Sequence, residues 1–448
     1  MVEPAAKQFS DKGVSSVKKG LLLTCCLVLV GVAFIAGRAS APAPRFQPEV
    51  HHEDPLANAF EQFIQAQRDA LALYQSREFF AHPQGKAEAY RGLLYAMIGS
   101  IKAGALQSHD FPRVMRAVDW TSKSGLDNPD NNYYVALLDD TGTYRLSGNR
   151  GTTEQLIFQL VIGQPGVGKA GTSTNVSVLY DSDLRTDPEG NFDIIISPER
   201  PPDADNWMLN APGAESLLVR FTHVDWGTEA DSPLYIERLD RPRQFPAPLD
   251  EPSMVRGLER AAEALHDKTA SWLALAERMQ TLVPTNSLHT LRMTPGGLKG
   301  QYSAFGNWDL QPDEALLIEF DHSGAPYMGI QLGSPWFVSL DYENHTSTLN
   351  QHQLNCPEGG SDCYAVIAGF DPGVANWLDT AGHPEGVIFI RWQGLSEAPS
   401  EGAQPRTRLL DAEALASFQA SHPPLLTAAE RQANIAKRRR AVHQRFGG

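Results

Sequence analysis

The sequence lacks an excess of basic residues. Its 38 lysines and arginines stand against 53 aspartates and glutamates, which gives the 448-residue chain a formal net charge of −15 at pH 7. Proteins that bind nucleic acids carry a basic stripe or patch that neutralises phosphates. The one basic run, at residues 437–440, is typical of a solvated helix end, with contact to an anionic surface as the alternative. We therefore predict that nucleic acid is not a partner.

Motifs of several well-defined chemistries are also missing. There is no G-x-S-x-G turn to present a nucleophilic serine and no H-E-x-x-H helix to bind zinc. Residues 163–169 match the start of a phosphate-binding loop, but Ala170 stands where Ser or Thr is needed, and β-branched residues follow instead of a helix. Residues 140–142 read Asp-Thr-Gly, as in aspartic proteases, yet only a symmetric dimer could supply the second carboxylate. We interpret both segments as β-hairpin turns.

Cysteine is scarce. Of the 4 cysteines, Cys25 and Cys26 lie in an apolar segment, whereas Cys356 and Cys363 bracket a polar turn between two strand-like runs. In an oxidising compartment this spacing predicts a disulfide across a small hairpin. Zinc would need two further soft ligands nearby, and the sequence offers none. We predict no metal site and no cofactor.

One long uncharged run is present. Residues 20–37 carry no charge and follow Lys18 and Lys19, so the N-terminus is expected to stay in the cytoplasm while the rest crosses the membrane. The length just suffices for a bilayer core. We predict a single-pass inner-membrane protein with its body in the periplasm, anchored through residues 20–38. The alternative is a cleaved signal peptide, because Ala39-Ser40-Ala41 offers a cleavage site, which would release a periplasmic or secreted protein.

The rest of the chain alternates between helical and strand-like patterns. Apolar residues recur at threes and fours in residues 251–283, which predicts a long helix. Short apolar and β-branched runs separated by turns fill residues 132–239 and 316–392, where 336–342 also reads as a strand. The fold class predicted is α+β, with a β-sandwich-like body of mostly antiparallel strands, flanking helices and a preceding membrane segment. The predicted regions are a cytoplasmic stretch (1–19), the membrane segment (20–38), a linker (39–55), a helical region (56–125), a first β-rich domain (126–245), a connecting helix (251–284), a second β-rich domain (290–400) and a helical tail (408–448).

Three polar stretches interrupt the strand-like regions, at residues 128–134, 341–353 and 371–383. If the second stretch is extended, neither of its faces is apolar, which suits either a site for a hydroxylated or anionic ligand or a solvent-facing edge strand. In the third stretch, Asp379 and His383 lie close enough in sequence to form an acid–base pair; a turn-capping Asp beside a surface His is the alternative. The predicted ligand contacts are Asn128, Asp130, Tyr133, Asn344, His345, Asn350, His352, Asn376 and Arg391.

The stretch FDPGVANWLDTAGHPEG followed by Arg391-Trp392, together with the upstream TSTLNQHQ, resembles the C-terminal signature of the bacterial family called "domain of unknown function 1214". The segment from Asn128-Pro129-Asp130 onward is similar to the N-P-D-x-x-Y segment of the related β-rich part. The resemblance covers roughly residues 120–400. It implies a β-sandwich-type fold with appended helices and implies no settled activity.

Two functions fit these patterns. The first is a membrane-tethered, periplasm-facing protein that binds an unidentified small polar or amphipathic molecule, with acid–base chemistry at Asp379 and His383. The second is a non-catalytic envelope scaffold that holds a partner protein.

Overall fold

The computed structural model describes residues 46–48, 52–163, 174–241, 245–246, 248–293, 297–357, 359–399, 401–423 and 425–446. The predicted membrane segment (20–38), the cleavage site at Ala41 and the turn at residues 164–170 lie outside these ranges. Within the described part of the chain, no helix is both long enough and apolar enough to cross a membrane.

Five α-helices occur in the described residues, and each of the long ones begins at a sequence signal. They are α1 (Pro55–Gln75), α2 (Pro83–Ala103), α3 (Glu251–Leu282), α4 (Ala412–Ser421) and α5 (Ala428–Phe446). The carboxylate of Asp54 accepts hydrogen bonds from the first free N–H groups of α1, and Asp250 does the same for α3. The predicted helix at 251–283 is therefore confirmed almost to the residue.

Helices α1, α2 and α3 pack through small side chains. Ala66 and Ala70 on α1 and Ala261 and Ala262 on α3 are fully buried in one cluster. Trp336 from the second half of the chain joins this cluster and donates from its indole nitrogen to the Gly85 carbonyl oxygen on α2 (3.0 Å). The helices are thereby fixed to the β-rich body.

Eighteen strands occur in the described residues. They are β1 (Met115–Val118), β2 (Asn131–Leu137), β3 (Tyr144–Asn149), β4 (Gln155–Ile162), β5 (Thr174–Tyr180), β6 (Asn191–Ser197), β7 (Asn206–Leu209), β8 (Ala214–Thr222), β9 (Tyr235–Arg238), β10 (Arg292–Met293), β11 (Tyr302–Asp309), β12 (Ala315–Phe320), β13 (Tyr327–Gly333), β14 (Thr348–Asn350), β15 (Cys363–Ala368), β16 (Trp377–Asp379), β17 (Glu385–Gln393) and β18 (Arg406–Leu410). They form four sheets, and pairing is antiparallel except between β6 and β7 and between β15 and β16. The chain is thus a mixed α+β protein with several largely antiparallel sheets, as the sequence predicts at that level.

Two hydrophobic cores join the sheets in pairs. In the first half, Phe158 and Phe221 from one sheet and Leu146 and Ile194 from another share one buried cluster. In the second half a separate cluster combines side chains of the β11-β17-β13 sheet with those of the β15-β12 sheet, around the fully buried Trp392. Alternate residues of each strand point into these cores, as the two-residue period of a strand requires.

The two halves repeat one topology. The first has sheets of order β1-β2-β8-β4-β5 and β7-β6-β3-β9; the second has β10-β11-β17-β13-β14 and β16-β15-β12-β18. Each strand of the second half has a number nine higher than that of its counterpart in the first half. The parallel pair β15–β16 therefore corresponds to the parallel pair β6–β7. We call β1–β9 the first repeat and β10–β18 the second repeat.

Several local predictions are wrong. The Asp-Thr-Gly turn at 140–142 is not a hairpin, because β2 and β3 belong to different sheets. The loop between the two cysteines likewise joins strands of different sheets. Residues 336–342 form no strand and belong to the long connection between β13 and β14, while 341–353 contains only the short strand β14. The strands on either side of the predicted hairpin turn at 163–169 are confirmed as a pair, since β4 pairs antiparallel with β5.

Helix α5 packs across both repeats. Arg438 donates to the Thr348 carbonyl oxygen (2.8 Å) of the second repeat, and Arg445 donates to the Pro129 carbonyl oxygen (2.8 Å) at the start of the first. Both guanidinium groups lie over the ring of Trp226, at 4.7 and 4.4 Å from its centroid. The basic run at 437–440 is therefore only partly a solvated helix end, because Arg438 is held inside the protein.

Candidate functional site

A cavity of about 390 Å³ lies between α2 and the loops at one end of the second repeat. Helix α2 contributes Gln84, Glu88, Arg91 and Tyr95, whose spacing of three and four places them on one face of the helix. The remaining charged and aromatic lining residues are Trp120, Lys123, Trp336, Asp341, Tyr342, Glu343, His345 and His383, with Asn344 and Ala381 beside them.

His345 forms the first histidine–carboxylate pair of this cavity. Its Nδ1 lies 2.7 Å from Oδ2 of Asp379, at the end of β16. The hydrogen bond that His345 donates to Asp379 raises the pKa of His345, although partial burial opposes the shift. With Nδ1 engaged by the carboxylate, Nε2 remains for a ligand.

His383 forms the second pair. Its Nε2 lies 2.8 Å from Oε2 of Glu88 on α2, and its Nδ1 lies 2.9 Å from the Thr380 carbonyl oxygen. A carbonyl oxygen only accepts, so Nδ1 carries a hydrogen. The pair places a second imidazole in contact with a second carboxylate at the cavity wall.

Lys123 and Asp341 are a buried cation and a partly buried anion that line the same cavity. The ammonium of Lys123 donates to the Leu340 carbonyl oxygen (3.1 Å) and lies 4.2 Å from the centre of the Tyr342 ring. Burial lowers the pKa of Lys123, while the neighbouring carboxylates oppose that shift. Burial alone would raise the pKa of Asp341, but hydrogen bonds from Asn344 and the charge of Lys123 outweigh burial, so this pKa falls below its ordinary value.

Two loops at the cavity hold non-glycine residues in left-handed backbone conformations. Phe337, beside the lining residue Trp336, has φ of 59°, and Ala381 has φ of 52°. Phe337 is fixed by stacking on Trp272 and by accepting a hydrogen bond from the Leu126 N–H (2.7 Å). Such conformations cost energy and are concentrated at ligand sites, so their presence on both loops is consistent with a functional cavity.

The structure brings some predicted site residues together and separates others. Asn344, His345 and His383 all line the cavity. Asp379 does not line the cavity itself, but it is hydrogen-bonded to His345, which does. The predicted direct pair of Asp379 with His383 does not form, because each of the two residues is bonded to another partner.

A second group of predicted residues lies in a closed network between the repeats. The Asp130 carboxylate accepts hydrogen bonds from Tyr327 Oη (2.7 Å), Trp226 Nε1 (2.7 Å) and Asn350 Nδ2 (2.8 Å). Asn128 donates to Tyr327 Oη (2.8 Å). All of these side chains are buried, and burial raises the pKa of Asp130. This group holds the two repeats together rather than facing a ligand.

The other four predicted contacts are dispersed. Buried Asn376 bonds to the backbone of Asn355, and Arg391 bonds to Gln331 and lies over the ring of Phe389. Tyr133 accepts from Asn131 on its own strand (3.2 Å). The ring of the exposed His352 lies 3.9 Å from the Asp225 carboxylate. None of the four lines the cavity.

Cys356 and Cys363 are joined, with their sulfur atoms 2.14 Å apart. Among the described residues, no group of three or more His, Cys, Asp or Glu side chains is arranged to hold a metal ion.

Sequence reasoning missed Glu88, Arg91, Tyr95 and Lys123. Glu88 is 295 positions from its partner His383. The spacing of polar residues on one face of α2 was the only available signal, and a solvated helix face gives the same signal.

Comparison with a Burkholderia cenocepacia structure shows a shared fold. A crystal structure of an uncharacterised protein from Burkholderia cenocepacia is 29% identical to this chain, with a TM-score of 0.73, covering 81% of this chain and 98% of that one. A crystal structure of a protein from Vibrio parahaemolyticus is 11% identical, with a TM-score of 0.40, covering 80% of this chain and 100% of that one. No protein-family model and no curated protein matches the sequence. The resemblance to the domain of unknown function 1214 stays a prediction.

Proposed function

We propose that the protein binds a small polar or amphipathic molecule in the α2 cavity and transfers protons to or from it. The observation that carries this proposal is the convergence of two separate histidine–carboxylate pairs, His345–Asp379 and Glu88–His383, on one cavity of about 390 Å³. A cavity of that size is typical of small-molecule sites, and proton transfer needs an oriented acid and base.

The two pairs have different roles in this proposal. Asp379 orients the His345 ring and stabilises its protonated form, so His345 acts as the general acid. The Glu88–His383 pair accepts a proton and returns it. Hydroxyl or amide groups of the ligand bond to Asn344 and Asp341, and its apolar part packs on Tyr95 and Trp120.

We also propose that the folded part of the protein lies outside the cytoplasm. This proposal is supported by the uncharged run at residues 20–37 behind Lys18 and Lys19 and by the joined cysteines, which suit an oxidising compartment. A phosphatase fused after Phe446 is expected to be active only when exported. Mass spectrometry of the purified protein distinguishes an intact N-terminus from cleavage near Ala41.

Thermal stabilisation of the full-length chain by a panel of sugars, polyols, hydroxy acids, amino acids and fatty acids tests the ligand site. A true ligand raises the melting temperature of the wild type and of His352→Gln, whose histidine is outside the cavity. The rise is lost in His345→Gln and in Glu88→Gln. If no compound stabilises the wild type, or if both cavity variants respond as it does, the proposal is wrong.

One observation favours the scaffold function as the second candidate. Tyr90, Leu94 and Ile98 follow one another at intervals of four along α2 and are 44%, 58% and 38% exposed. Exposed apolar stripes of this kind mark protein contacts. A photo-crosslinking residue at position 94, compared with one at the exposed position Glu189, tests this candidate in intact cells: a partner captured at 94 alone supports it.

A further inference from the structure

Buried polar atoms without a protein partner gather at the C-terminal end of α5. Arg445 is 6% exposed, and only its Nη2 has a partner, the Pro129 carbonyl oxygen at 2.8 Å. Its Nε and Nη1 are buried and bond to no protein atom. Buried polar groups are almost always satisfied in proteins, so these atoms call for an explanation.

His223 lies in the same place. Its backbone N–H donates to the Asp130 carbonyl oxygen (2.7 Å), one residue after the carbonyl that Arg445 engages. The side chain is fully buried, and neither ring nitrogen has a protein partner. Burial, with the nearby Arg445 charge, lowers the pKa of His223 to about 3. The ring is therefore neutral and offers one N–H donor.

Arg116, on β1, is the third member of this group. Its Nη2 donates to the Tyr134 hydroxyl (2.9 Å) and to the Arg445 carbonyl oxygen (3.1 Å), while its Nη1 is buried without a partner. The guanidinium groups of Arg116 and Arg445 lie 4.9 and 5.2 Å from the centre of the same Phe446 ring. The two cations are thus held close together.

The charges of this group do not balance. The carboxylate of Asp231 accepts from Asn132 (2.8 Å) and Tyr134 (2.6 Å) and lies 4.0 Å from Arg116. The Asp130 carboxylate is already occupied by three donors. Arg438, which lies with Arg445 over the Trp226 ring, adds a third guanidinium group, so three cations share two carboxylates. Uncompensated buried charge is costly, and water alone does not neutralise it.

We infer that the protein binds a monovalent inorganic anion, the size of chloride, at a closed site between Arg445, Arg116 and His223. Four partnerless nitrogen atoms, Arg445 Nε and Nη1, Arg116 Nη1 and one His223 ring nitrogen, are its donors. An anion accepts from several donors at once and neutralises the excess positive charge. The site ties the end of α5 to the first repeat, and none of its three residues lines the α2 cavity.

Anomalous diffraction from crystals of the full-length protein grown in bromide tests this inference directly. One buried bromide peak is expected within about 3.5 Å of the Arg445 and Arg116 guanidinium nitrogens, since halide contacts are slightly longer than ordinary hydrogen bonds. Ordered water at these atoms, with no anomalous peak, would overturn the inference.

Thermal unfolding in solution supplies a second test. Wild type is expected to melt roughly 2 °C higher in 100 mM chloride than in 100 mM gluconate, which is too large for the site. The difference disappears in Arg445→Met and persists in Arg440→Met, a matched change at an exposed position of the same helix. Equal responses in all three proteins would contradict the inference, and the bromide experiment decides the matter if Arg445→Met does not fold.

Discussion

His345 and Asp379 are joined by a hydrogen bond of 2.7 Å although they are 34 positions apart in the sequence. The bond connects the loop after β13 to the end of β16. It therefore fixes both the orientation of the imidazole and the shape of one wall of the α2 cavity.

This bond makes stability depend on pH in a definite direction. Because the pKa of His345 is raised in the folded protein, the stabilisation is complete below the unfolded pKa of about 6.5 and is lost as pH rises through the folded value. Asp379→Asn is expected to lower the melting temperature more at pH 5.5 than at pH 8.5. NMR titration should show His345 losing its proton at lower pH in the variant. An unchanged titration would refute the assignment, and His352→Gln serves as the control.

The Asp130–Tyr327 hydrogen bond joins the two repeats. Tyr327→Phe removes the donor and leaves the buried Asp130 and Asn128 each short of a partner. We expect the free energy of unfolding to fall by about 2 kcal/mol. Chemical denaturation measures the change, and Tyr235→Phe, at a side chain that is 63% exposed, should leave it unaltered. If Tyr327→Phe lowers the free energy of unfolding no more than Tyr235→Phe does, the network does not hold the repeats together.

Ala381 is a position where glycine should stabilise the protein. Its φ of 52° is unfavourable for a residue with a Cβ. Ala381→Gly is therefore expected to raise the free energy of unfolding by about 1 kcal/mol. The same substitution at the exposed helical residue Ala433 should lower it by about 1 kcal/mol. Melting temperatures that shift in the same direction for both variants would contradict this account.

The bond between Cys356 and Cys363 closes a short loop. Removing it as the double Cys→Ser variant is expected to cost about 2 kcal/mol, the entropy of closing a loop of this size in the unfolded chain. Dithiothreitol should lower the melting temperature of the wild type and leave the double variant unchanged. Mass spectrometry after alkylation provides the check: labelling of both cysteines in untreated protein would show that they are not joined.

Local patterns in the sequence predicted much of the secondary structure. The three-to-four residue period of α3 reflects one buried face, and the apolar runs of β12, β15 and β17 belong to strands buried on both faces. A single segment reveals either pattern by itself. The sequence does not predict strand β13, and it wrongly predicts a strand at 336–342 because apolar residues alternate there. Trp336, Phe337 and Val338 pack against helices α1 to α3 instead, and a local window contains no information about that partner.

The cavity was predicted only in part. Asn344, His345 and His383 stood out because polar residues interrupt strand-like surroundings. Their partners could not be identified, since Glu88 and Lys123 come from distant segments with no unusual local pattern. Asp130 and Asn350 carry the same polar signal as the residues that line the cavity, and only tertiary structure shows that they bond to each other.

The nine-strand repeat has an evolutionary consequence. Two halves with one strand order and equivalent parallel pairs are what duplication and fusion of a single ancestral gene produce. The second copy then supplies most of the loop residues that line the α2 cavity, while the first supplies Trp120 and Lys123 there and Asp130 at the contact between copies. The two copies have thus been free to diverge in sequence while their shared strand order was kept.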